Sequence, residues 1–151
     1  MSRLLDTTNL FGVFSEQRTT AGTMDTATVA DEARKSELIL EANLLKAQGQ
    51  YQDATDRFAE AACIEERLSE MLLQNKLLDK YFVHRFSALS CWAQAGNIYQ
   101  AIAMGEEMLA RPDLPSHLHQ CIQEYVQLLR TRRVRWLVEF APPAVPVAVS
   151  Q

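Results

Sequence analysis

Helix breakers are nearly absent from the middle of this chain, and that restricts its folding more than any other feature. The 151 residues hold 5 Gly and 5 Pro, and Pro142, Pro143 and Pro146 all fall at the very end. Between Thr28 and Pro112 only Gly49, Gly96 and Gly105 interrupt the run. A stretch this poor in Gly and Pro favours long helices. Apolar residues recur through it at spacings of three and four, which is one face of a helix. The expectation is an all-α domain of about five helices.

The first helix is expected to begin near Thr28 to Asp31 and to run to about Gln48, with Leu38, Ala42 and Leu45 on one face. Asp31 and Glu32 suit the positive end of its dipole. The second starts at Tyr51 and places Ala54, Phe58, Ala61, Leu68 and Met71 together. No Gly or Pro marks its end, so its boundary falls somewhere near residues 75–80. The third carries Phe82, Phe86, Leu89 and Ala93 and stops at Gly96. The fourth runs from Ile98 to Ala110 and is closed by Pro112 and Pro115. The fifth opens at Ser116 and continues towards Leu137.

Two segments share a design: ANLLKAQGQYQDATDRFAEAA and SCWAQAGNIYQAIAMGEEML. Each ends a helix at a Gly, turns within a few residues and places an Ala where the next helix crosses the last. Gly49, Tyr51, Ala54, Phe58 and Ala61 hold the first copy; Gly96, Ile98, Ala101, Gly105 and Met108 hold the second. Gly permits the left-handed backbone that ends a helix, and the small Ala54 and Ala101 allow close approach of helix axes. Tyr51 and Phe58 are expected to fill the space between helices. The first copy resembles the tetratricopeptide repeat, with that family's Gly, Tyr, Ala, Phe, Ala progression. The second copy is degenerate, with Ile98, Gly105 and Met108 in place of the Tyr, Phe and second Ala. The resemblance covers roughly residues 35 to 115 and implies a stack of helical hairpins, the fifth helix serving as the C-terminal cap that such stacks need.

The resemblance also implies a partner-binding groove lined by the first helix of each pair. The matching positions are Ser36, Ile39, Asn43 and Lys46 in the first helix, and Val83, Phe86, Ser90 and Gln94 in the third. Asn43 stands where some members hold a peptide carboxylate. The basic residues that accompany it there are replaced by Ile39, Val83 and Ser87, so the surface suits an apolar segment better.

Other chemistries find little support. His117, His119 and Cys121 form HLHQC, but only His117 and Cys121 share a helix face, and two ligands make a poor metal site. No P-loop, dinucleotide fingerprint, nucleophile elbow or HExxH occurs in the sequence, so neither a cofactor nor an enzymatic activity is expected. The formal net charge of -4 argues against nucleic-acid binding, which relies on clustered Lys and Arg. The one basic run, Arg130, Arg132, Arg133 and Arg135, reads as a solvated face or an electrostatic contact with an acidic partner. No stretch approaches the roughly 18 apolar residues needed to cross a bilayer. Three cysteines in helical settings, an odd number, suggest buried, reduced thiols and a cytoplasmic location.

Residues 1–28 read as an N-terminal arm, 29–139 as the helical domain and 140–151 as a Pro-rich tail. The arm contains one apolar cluster, Leu10, Phe11, Val13 and Phe14, which either folds back onto the domain or docks on another protein. The expected function is a non-catalytic protein–protein interaction adaptor. The alternatives are a small secretion or assembly chaperone and a structural subunit of a larger complex. Self-association is a further expectation, because a short stack exposes an apolar flank.

Overall fold

The computed structural model describes residues 25–140, with Phe140 described for its backbone alone. The expected arm and tail lie outside the described residues, apart from residues 25–28 and 140. Five α-helices follow in order: α1 (Thr26–Ala47), α2 (Tyr51–Gln74), α3 (Leu78–Gln94), α4 (Ile98–Leu109) and α5 (Ser116–Phe140). The described residues are all helix and connecting turn, without strands. Each helix packs on its neighbours in the chain.

α1 begins slightly earlier than its sequence suggests. The Asp25 carboxylate accepts from the Thr28 backbone N–H at 2.7 Å and so caps the helix. Thr28 is buried and also donates its hydroxyl to the same oxygen of Asp25 at 2.7 Å.

The first three connections are one turn used three times. The N–H of Gln50 reaches the carbonyl of Leu45, that of Leu77 reaches Leu72, and that of Asn97 reaches Trp92, each at 2.9 Å. Inside these bonds, the N–H groups of Gly49, Lys76 and Gly96 bond Lys46, Leu73 and Ala93 at 3.0–3.1 Å. This is the Schellman arrangement, and it needs a left-handed residue at its centre. Gly49 (φ 79°) and Gly96 (φ 85°) provide it without strain. At the α2 end the residue is Lys76, at φ 59°. That is why no glycine marks the end of α2, which stops at Gln74.

The interior falls into two clusters. Leu38 and Ile39 of α1 pack with Ala61, Ala62, Ile64 and Leu68 of α2 and with Cys91 of α3. Phe82, Phe86 and Leu89 of α3 pack with Ala101, Ile102, Met104 and Met108 of α4 and with Ile122, Val126 and Leu129 of α5. α3 thus belongs to both, and Met71 and Trp92 border both. Gly105 lies where α4 meets α5: a Cβ there would stand 2.2 Å from Cγ2 of Val126 and 3.2 Å from Cδ1 of Leu89. Tyr51 departs from expectation, being 65% exposed. It is the first residue of α2 and sits at the rim of the hairpin, while Ala54 and Phe58 are buried inside it.

Candidate partner surface and a buried charged cluster

The inward row of α2 includes Ala54, Phe58, Ala61, Leu68 and Leu72, and Glu65 falls in the same row. The Glu65 side chain is 1% exposed. Lys35, on the inward face of α1 beside Leu38 and Ala42, is 4% exposed at its side chain and places Nζ 3.0 Å from Oε1 of Glu65. The same Nζ lies 2.8 Å from Oε2 of Glu32, one turn earlier on α1. From α3, Ser87 donates its hydroxyl to Oε1 of Glu65 at 3.0 Å. His84 presents Nδ1 to Oε2 of Glu65 at 2.6 Å and Nε2 to Oε1 of Glu32 at 3.4 Å.

Two carboxylates, an ammonium, an imidazole and a hydroxyl from three helices therefore satisfy one another inside the stack. The charges face each other at hydrogen-bond distance, the geometry that allows charged groups to be buried. Burial pushes the Glu65 carboxyl up, but the bonds and charges of His84 and Lys35 together outweigh it and hold the carboxyl below its ordinary value of 4.5. The ammonium of Lys35 fills the place between the carboxylates that a metal cation would need. Among the described residues no group of three His, Cys, Asp or Glu side chains is arranged to hold a metal. His117 and His119 are exposed on α5 and Cys121 is half-buried.

The cluster also joins α1 to α3, where Glu32 meets His84. Asn43 lies eleven residues beyond Glu32 on α1 and Gln94 ten beyond His84 on α3, each about 16 Å along its own helix. The residues expected to line a groove divide by depth. Ile39, Phe86 and Ser90 are buried, and Phe86 meets Tyr125 of α5 edge-on with ring centroids 5.9 Å apart. Asn43 and Val83 are half-buried and Lys46 is exposed, so solvent reaches these three; Gln94 is half-buried with its amide Nε2 buried.

The basic run on α5 is partly engaged. Arg130 pairs with Glu106 of α4, and the Arg133 guanidinium lies over the Tyr99 ring, 5.5 Å from its centroid. Arg132 and Arg135 are exposed. Beyond Arg133 the helix carries Val134, Trp136, Leu137 and Val138 on exposed surface.

Of the three cysteines only Cys91 is buried. Burial pushes its thiol far up, which leaves it a small apolar side chain. Cys63 is exposed, contrary to expectation, because its apolar neighbours Ala61, Ala62 and Ile64 face inward and leave it on the outer side of α2. No helix among the described residues is long and apolar enough to cross a membrane. Comparisons with protein-family models, with curated proteins and with solved structures return no match for the chain.

Proposed function

We infer that this chain is a non-catalytic protein-interaction module of tetratricopeptide-repeat type, an adaptor that seats a partner segment along α1 and α3 in the cytoplasm. One observation carries this reading. α1 and α3 are joined at Glu32 and His84, and solvent reaches Asn43, Lys46 and Val83 on the two helices. An extended segment lying there would meet the Asn43 amide and the Lys46 ammonium, with the methyl groups of Val83 nearer the charged cluster. Side-chain amides offer both donors and acceptors to a partner's backbone. The cytoplasmic assignment rests on three thiols that are all unpaired.

The test is affinity capture with the full chain against a variant carrying Asn43→Ala, Lys46→Ala and Gln94→Ala. None of the three belongs to either core cluster, so the variant keeps its fold, as circular dichroism would verify. A stoichiometric partner retained by the wild type and lost from the variant supports the row. A partner held equally by both places binding elsewhere.

A second reading, a subunit of a larger complex, draws on α5. Val134, Leu137 and Val138 are exposed together on its last turns beside Arg132 and Arg135, a surface suited to an acidic, apolar neighbour.

A further inference from the structure

α1 has two apolar faces. Leu38 and Ala42 point into the stack. On the other side Val29, Leu40 and Leu44 are 53%, 72% and 58% exposed, with Ala33 and Ala47 exposed between and beyond them. At 3.6 residues per turn these five fall within an arc of about 60°, roughly opposite the core face. A helix with apolar stripes on both sides has the pattern of an internal member of a stack. Here α1 is the first described helix, and its outer stripe has nothing upon it among the described residues.

We propose that the segment preceding α1 covers this stripe, with Leu10, Phe11, Val13 and Phe14 packed along Val29, Leu40 and Leu44 as a cap on the first helix. The chain reaches. The segment ends at Asp25, the N-cap of α1, so it is tethered at the Val29 end of the stripe. Phe14 is separated from Asp25 by up to about 36 Å of extended chain. From Val29 to Leu44 the stripe is only about 22 Å long. The occupant's chemistry also fits: residues 10–14 carry no charge, so they bring no ion onto the apolar surface. Tethering gives an effective concentration in the millimolar range, which a weak apolar contact can exploit. A second copy is the poorer occupant. Glu37, its side chain 71% exposed and 3.7 Å from Arg34, flanks the stripe midway along it, and antiparallel pairing of two α1 helices would bring this charged pair and its symmetry mate together at the seam.

The contact uses residues other than those of the partner row, which borders it at Asn43, about 40° around α1 from Val29 and Ala47. Cysteine pairing in the full chain tests it, in a background of Cys63→Ser and Cys121→Ser. Phe14→Cys with Leu40→Cys is compared at low micromolar concentration with Phe14→Cys paired to Gln127→Cys on α5. The expected result is an intramolecular disulfide that forms about tenfold or more faster in the α1 pair. Equal rates, or disulfide-linked dimers in place of monomers, overturn the proposal, the dimers by showing a second copy on the stripe. A second measurement covers any folding effect of the cysteines. Phe11→Ser with Phe14→Ser is expected to raise amide hydrogen exchange in α1 while leaving α4 and α5 unchanged; no change in α1 overturns the proposal.

Discussion

At the scale of single residues, the positions that break a local rule are the informative ones. Lys76 is a non-glycine in left-handed backbone, a conformation that costs an ordinary residue about 1 kcal/mol or more. Its turn is otherwise the same as those at Gly49 and Gly96. Lys76→Gly is therefore expected to stabilise the fold by roughly 0.5–1 kcal/mol, read from the urea midpoint. Gly105 reverses the usual preference for Ala within a helix. The added methyl would collide with Val126, a stiff β-branched side chain. Gly105→Ala should lose about 1–3 kcal/mol despite its gain in helix propensity. Glu65 makes a third case. Lys35→Met leaves two carboxylates facing each other without their ammonium, and a loss of about 3–5 kcal/mol is expected. The carboxyl of Glu65 is held below its ordinary value of 4.5, so its contribution to stability is complete above that pH. It is lost as pH falls through the lower, folded-state value. Urea midpoints of the wild type should drop on acidification below about pH 4.5, and less so for Glu65→Gln.

At the scale of elements, the sequence carried most of the layout. The spacing of apolar residues located all five helices, and Gly49, Gly96 and Pro112 located three of their ends. The end of α2 was not legible, because a lysine occupies the left-handed position that glycine usually marks. The start of α1, expected near Thr28 to Asp31, lies at Thr26 because Asp25 caps it, and a lone Asp in a Thr-rich stretch looks like any other. The groove positions followed from family resemblance, yet Ile39, Phe86 and Ser90 prove to be buried. A repeat pattern gives the face of a helix but not how deeply its neighbours cover that face. The charged cluster left a signal that apolar periodicity passes over. Lys35 stands three residues before Leu38, and Glu65 four after Ala61 and three before Leu68, so both occupy inward registers with opposite charge on adjacent helices. Their pairing could have been suspected; the inclusion of His84 and Ser87 depends on how α3 packs, which periodicity does not reveal.

At the scale of the whole molecule, the five helices form a row in which each element depends chiefly on its neighbours. Stability in such a row is distributed as nearest-neighbour terms. A lesion at the α4–α5 crossing should therefore open that end first. Gly105→Ala is expected to raise hydrogen exchange in α4 and α5 well before α1 and α2; uniform loss of protection would show a single cooperative unit instead. The charged cluster is the exception to this locality, because Glu32, Glu65 and His84 bind three helices at one point.

The surface of α1 and α3 is the proposed seat of the partner, and site-specific photo-crosslinking in cells tests it most directly. A photoreactive side chain at Asn43 or at Gln94 should capture the same protein, at adjoining positions of one segment of it, and the same group at Gln127 on α5 should not. Different proteins captured from Asn43 and Gln94, or one protein captured as readily from Gln127, would contradict a binding row along α1 and α3.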